Sequence, residues 1–220
     1  MSPRPRKASD ADIMAATQRV MMRVGPRELT LAEIGAEAGV TAGALVQRFG
    51  SKRSLLLELA RAFAESVPEM YAQMRAASAS PLATLRTYVD CMAQLGESPA
   101  ALAHHMSYLQ IDLTDPDFRD HTRAQAAAAR AAIQGWVEEA IELGELRPDL
   151  DPPSVARSIE VTVSGSLWTW AFYQDGSIRN WMQHDLAVLL APLLGPKGWI
   201  SEGKKRRRSL PKAGRPKRKR

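Results

Sequence analysis

The sequence predicts an all-α fold of about nine helices, because helical periodicity runs through almost its whole length. Three observations carry that reading. No segment sustains the period-two alternation of a strand. Helix-start signals recur at Ser9, Thr30, Thr41, Ser51, Asp115-Pro116 and Asp151-Pro152. Between them, apolar residues return every three or four positions. With 220 residues, 45% of them hydrophobic, the chain holds enough apolar material for one large domain or two small ones. No internal repeat is visible.

Residues 1–8 form a basic, Pro-broken arm in which Arg4, Arg6 and Lys7 either follow phosphates, enter a minor groove or simply fray. Ser9 caps the first helix, with Asp10 and Asp12 at its positive end. Ile13, Ala16, Val20 and Met21 keep the period to Arg23, and Gly25-Pro26 ends the helix. Thr30 caps the next one, and Glu33 completes a capping box. Gly39 stands where that helix must stop in a left-handed turn. Thr41 caps a third helix, with Val40 and Leu45 as its hydrophobic staple and Leu45 and Phe49 as its buried face. Two short helices around a tight Gly turn are either an ordinary αα-hairpin or a helix-turn-helix.

Ser51 caps a long helix to about Ala77, through Leu55, Leu56, Leu57, Leu59, Phe63 and Val67, and Pro68 is expected to kink it. Further helices are predicted from Pro81 to Gly96, Pro99 to Asp112, Asp115-Pro116 to Leu143, Pro153 to Tyr173 and Arg179 to Leu194. The run Ala124–Ala132 is strongly helix-forming.

Net charge is unevenly placed. Residues 1–53 hold 9 Lys/Arg against 5 Asp/Glu, residues 54–202 hold 10 against 19, and residues 203–220 hold 11 against none. Basic ends around an acidic middle point to nucleic acid bound at the ends. The lone Cys91 rules out a disulfide framework and a cysteine-only metal site, and fits a reducing cytoplasm. Adjacent His104 and His105 point to different helix faces and do not chelate one metal. The N-terminus has no apolar signal region, and no run approaches the about 18 apolar residues of a membrane helix.

The stretch Thr30–Lys52 resembles the DNA-binding half of TetR-family transcriptional regulators. The match rests on Thr30, Ile34-Gly35, Ala38-Gly39-Val40-Thr41, Gly43, Leu45-Val46, Phe49 and Ser51-Lys52, within residues 9–60. Gly35 replaces the family's usual Ala, read here as a small loss of helix propensity. Val46 stands where the family carries a phosphate-touching Tyr, and it lacks that hydroxyl. The resemblance implies a DNA-binding domain over 9–53 and an effector-binding and dimerisation domain over 54–200, joined inside the long helix. Residues 201–220 are left as a disordered basic tail.

The recognition helix, 41–49, is expected in the major groove. Ala42, Gly43 and Ala44 are small enough for close approach, and Gln47 is suited to pair bidentately with adenine. Arg48 either reads guanine or holds a phosphate. Thr30, Thr41, Val46 and Lys52 complete the expected contact set, with Thr30, Thr41 and Lys52 on phosphates. An effector pocket is implied somewhere in the middle domain, with Met92, His105, Met106, Tyr108, Trp136 and Trp168 as its candidate lining. The last two helices are apolar on more than one face, which a homodimer explains. Candidates for that interface are Val161, Gly165, Trp168, Leu186, Leu189, Leu190 and Leu193.

The expected partners are therefore double-stranded operator DNA, a second copy of the chain and a small-molecule effector. No cofactor, metal or membrane is expected. The expected function is that of a ligand-responsive repressor on a palindromic operator. Effector binding would change the spread of the two recognition helices from one DNA turn, about 34–36 Å. A less specific nucleoid-type DNA coater is the alternative. An enzyme is disfavoured, because no phosphate-binding Gly loop, metal-spaced ligand set or Ser/His/Asp arrangement is present. In the tail, Gly214-Arg215-Pro216 resembles an AT-hook core without its preceding Pro-Arg, and generic phosphate attraction explains the charge equally well.

Overall fold

The computed structural model describes residues 8–96 and 98–198. Among them are nine α-helices and no strand: α1 Asp10–Arg23, α2 Leu31–Ala38, α3 Ala42–Phe49, α4 Lys52–Ala76, α5 Pro81–Ala93, α6 Pro99–Thr114, α7 Pro116–Glu142, α8 Pro152–Tyr173 and α9 Ile178–Leu190. Two 3₁₀ turns, Gln94–Gly96 and Ala191–Leu193, follow α5 and α9. The all-α expectation holds. The basic arm up to Lys7 and the tail lie outside the described residues.

Helix ends follow the capping chemistry. Ser9 and Asp12 form a reciprocal capping box, as do Thr30 and Glu33. Thr41, Ser51, Ser80, Ser98, Asp115, Asp151 and Ser177 each accept from a free backbone N–H of the first turn. Each such cap contributes about 1 kcal/mol. Gly39 takes φ 69°, ψ 30°, the left-handed turn that sets α3 across α2. α4 continues through Pro68, which lies on its exposed side.

Two apolar cores form. The smaller joins Ile13, Val20, Leu29, Ile34, Leu45 and Leu55, from α1 to the start of α4. The larger draws on α4 to α9 and contains Leu82, Leu85, Ile133, Trp136, Val137, Ile159, Met182 and Leu186. α4 and α7 run parallel and are tied along their length. Arg53 meets Asp115 and Asp117 at one end, Gln125 reaches the Ala60 carbonyl between, and Arg75 meets Glu139 at the other.

The turn after α7 is closed by the chain's own C-terminal segment. Leu194 bridges Leu146, while the N–H groups of Arg147, Gly195 and Lys197 donate to Leu193, Glu145 and Gly144 carbonyls at 3.0, 2.8 and 3.1 Å.

Gly35 does more than cost propensity. A Cβ there would meet the Val40 carbonyl oxygen at 2.6 Å, because the turn passes directly over it. Gly35→Ala is therefore expected to push α2 and α3 apart by a few tenths of an ångström and to cost about 1–3 kcal/mol. Thermal melting of the variant, read beside its DNA affinity, checks this; an unchanged melt would show that the turn yields freely.

Candidate nucleic-acid interface

The outward face of α3 is set by what α3 buries. Leu45 is wholly buried and Phe49 packs behind it, so Thr41, Gly43, Val46, Gln47 and Gly50 face outward. Ala42 and Ala44 are half-buried at the start of the helix. Val46 is 49% exposed, far more than a core valine. Gln47 is exposed and makes no hydrogen bond within the described residues, so its amide is available to a ligand. Thr30 and Thr41 are exposed at two helix N-termini, where unpaired N–H groups suit phosphates.

Two expected contacts carry a structural duty that their local sequence did not show. The Arg48 guanidinium donates to the Ala8 carbonyl at 2.6 Å and pairs with Asp10 at 2.6 Å, tying α3 to the N-terminus of α1. The half-buried Lys52 ammonium donates to the carbonyls of Leu29 at 2.8 Å and Pro26 at 3.3 Å. It thereby locks the turn between α1 and α2. An ammonium has three N–H donors, so one remains for a phosphate.

Electrostatic ties brace the same module. Arg19 and Arg23 of α1 converge on Glu37 of α2 at 2.7 and 3.4 Å, and hold its carboxyl below the usual carboxylate range. Each exposed pair is worth only a fraction of a kcal/mol, but together they fix the α1–α2 angle.

Sequence reasoning missed the joint between this module and the larger core. Arg53 donates to both Asp115 oxygens at 2.9 and 2.8 Å and to Asp117 at 2.7 Å, with its guanidinium 5.7 Å from the centre of the Phe118 ring. The Arg53 charge holds the Asp115 carboxyl down. On α6, the Tyr108 hydroxyl donates to the Val24 carbonyl at 3.1 Å. Burial pushes that hydroxyl up to about 12, which keeps it a donor across the physiological range. His104 lies beside Gly25. No local pattern signals partners more than 60 residues apart.

The six candidate pocket residues do not gather at one place. Trp136 sits in the larger core, edge-to-face with Tyr71 and Tyr88, and Met92 packs against that core. Tyr108 belongs to the smaller core, His105 and Met106 are exposed on α6, and Trp168 is half-buried on α8. A surface groove of about 460 Å³ between α5 and α9 is lined by Ala83, Arg86, Thr87, Asp90, Arg179, Asn180 and Gln183, none of them among the six.

The dimer candidates separate by helix face. Val161 is 63% exposed, and Gly165 and Trp168 follow it on the same face of α8. Leu186 and Leu190 point into the subunit's own core, so they support that face from beneath instead of forming it. Leu189 and Leu193 are half-buried against the core. The exposed large apolar residues of these two helices are Val161, Phe172, Tyr173 and Val188. On α9 the period runs inward through Ile178, Met182, Leu186 and Leu190, which leaves Trp181 and Val188 on other faces.

Among the described residues, no group of three or more His, Cys, Asp or Glu is placed to hold a metal ion. No helix there is long and apolar enough to cross a membrane.

Comparison with known proteins agrees with this arrangement. Residues 13–59 match the family described as bacterial regulatory proteins, tetR family, and residues 108–184 match the tetracyclin repressor-like C-terminal domain. The HTH-type transcriptional regulator TtgR of Pseudomonas putida is 25% identical over 199 residues, covering 84% of this chain and 93% of that protein. A TetR transcription regulator from Haloarcula marismortui superposes with a TM-score of 0.67 at 19% identity, covering 84% of this chain and 97% of the other. SmeT, the repressor of the Stenotrophomonas maltophilia multidrug efflux pump SmeDEF, superposes with a TM-score of 0.62 at 22% identity, covering 86% and 92%. With a matching DNA-binding half, a matching C-terminal half and the same fold, the chain belongs to the TetR family of transcriptional regulators.

Proposed function

We infer that this regulator is a ligand-responsive repressor that acts in the cytoplasm as a homodimer on a palindromic operator. The observation that carries the reading is the outward face of α3, where Gln47 and Val46 project beyond small residues while Leu45 and Phe49 turn inward. A helix so presented fits the major groove, and the exposed glutamine amide matches the donor–acceptor pair of adenine. Homodimerisation is supported by the apolar face of α8 and α9. Two copies joined through a two-fold axis would read two half-sites in successive major grooves.

An effector would act on the larger domain, where residues 108–184 match the tetracyclin repressor-like C-terminal domain. Its displacement of α6 or α7 would reach the DNA-binding module through the Arg53–Asp115 pair and through Tyr108, whose hydroxyl donates to the Val24 carbonyl. Binding to fragments of the protein's own upstream DNA, with excess nonspecific competitor, tests the reading. One discrete footprint with two-fold symmetry is expected. Diffuse binding that competitor removes would sink it in favour of a coating protein.

Residue roles separate in the same assay. Gln47→Ala is expected to cost about 1–3 kcal/mol at one or two base pairs only and to relax the preference there. Lys52→Met keeps the aliphatic stem and is expected to weaken all sequences alike, with a lower melting temperature because the Pro26 and Leu29 carbonyls lose their donor. Identical profiles for the two variants across operator mutants would refute this division.

A further inference from the structure

Arg48 is the only charged residue of α3, and within this fold its charge is already answered. Its guanidinium pairs with the Asp10 carboxylate at 2.6 Å and donates to the Ala8 carbonyl at 2.6 Å. Asp10 stands in the first turn of α1, but the capping box of that helix belongs to Ser9 and Asp12. The start of α1 therefore does not depend on Asp10 holding Arg48. Both partners reach water: the Arg48 side chain is 39% exposed and that of Asp10 64%. An ion pair so exposed adds little to stability, so the fold gives small reason for it.

Other cations of the module have different duties. Arg19 and Arg23 hold Glu37 between α1 and α2, Lys52 holds the Pro26 and Leu29 carbonyls, and Arg53 holds Asp115 and Asp117 across the joint. Of these cations Arg48 alone belongs to the helix proposed to enter the groove, one residue after Gln47.

We propose, resting on the placement of α3 against a duplex, that Asp10 is a built-in substitute for a phosphate: it neutralises Arg48 off DNA and so limits the hold of the recognition helix on random-sequence duplexes. Carboxylate and phosphate oxygens accept from a guanidinium in the same charge-assisted way, so the two compete for one partner. A phosphate that approaches meets a neutral pair. Either it shares Arg48 with Asp10, whose charge already balances the arginine, or it displaces Asp10 and leaves a bare carboxylate beside the DNA backbone. Both routes gain less from counterion release than an unpaired arginine would. The Gln47 amide is uncharged and exposed, so a base contact made through it is not weakened by the pair. Sequence-independent attraction is lowered while the reading group stays available.

The test measures binding of the full chain to a short random-sequence duplex over a range of salt concentrations. Four proteins are compared: unaltered, Asp10→Asn, Arg48→Met and the double variant. Asparagine keeps the shape of Asp10 without its charge, and the melting temperature is expected to stay essentially unchanged. Freeing Arg48 adds one phosphate contact for each engaged head. Asp10→Asn is therefore expected to steepen the salt slope by about 0.9 per head and to bind about eightfold tighter at about 0.1 M salt. In the Arg48→Met background the same change is expected to gain less than about twofold and to leave the slope alone, because an exposed lone carboxylate is largely screened. An equal gain in both backgrounds would overturn the proposal, since Asp10 would then act as a plain repelling charge and not through Arg48. Weaker binding by Asp10→Asn would overturn it by showing that Asp10 holds Arg48 in the pose that meets DNA. Unchanged binding would overturn it by showing that Arg48 meets no phosphate. If none of the four proteins binds the duplex even at low salt, the placement of α3 on DNA fails as well, a result distinct from the other three.

Discussion

Val188→Glu is expected to split the homodimer proposed above and, with it, to abolish operator binding at concentrations where the unaltered protein is saturated. The side chain is 59% exposed on α9, and Val161 and Phe172 are likewise exposed on the neighbouring α8. Burying a carboxylate against apolar side chains costs several kcal/mol unless a cation pairs with it. In a two-fold interface the substitution occurs twice, so the cost doubles. The subunit's own core is untouched, since Met182, Leu186 and Leu190 provide the inward face. Scattering mass should fall to that of one chain while helical content stays the same. Loss of the second half-site contact lowers operator affinity by about 10²-fold or more. A variant that kept the dimer mass and the operator affinity would show that the interface lies elsewhere.

Trp136→Ala is expected to be the most destabilising single truncation in the larger core. Trp136 is 5% exposed and meets Tyr71 at 5.8 Å with an interplanar angle of 86° and Tyr88 at 6.1 Å and 61°. Tyr71 and Tyr88 meet each other at 5.9 Å and 68°, so the indole supports two of three edge-to-face contacts among α4, α5 and α7. Removing it costs about 3–5 kcal/mol from the cavity, to which the aromatic pairs add about 0.5–1.5 kcal/mol each. For a chain of this size, each kcal/mol lowers the melting temperature by about 2–4 °C, so a drop of roughly 10–30 °C is expected. The smaller core shares no residue with this cluster. DNA binding measured well below the new melting point should therefore survive. A loss under about 1 kcal/mol would mean that the three rings pack loosely enough to close over the gap.

The helix boundaries were legible because capping is local chemistry. Ser9 with Asp12, Thr30 with Glu33, and the Asp-Pro starts at Asp115 and Asp151 each need only three or four residues to declare themselves. The turn at Gly39 was legible for the same reason. What stayed hidden depends on residues distant in the chain. Lys52 reads as a free cation until the turn after α1 folds back to offer the Pro26 and Leu29 carbonyls. Arg53 gives no sign of Asp115 and Asp117. The α9 pattern is apolar on several sides, so sequence alone could not tell that Leu186 faces the core while Val188 faces out.

The tie from Arg48 to Ala8 and Asp10 has a practical bearing on how this protein is handled. It pins Ala8 against the recognition helix, so a group fused directly ahead of Ala8 would start close to the helix on which the duplex is proposed to dock. An affinity tag at that end would compete with DNA or borrow its charge, and binding constants measured on such a fusion would belong partly to the tag.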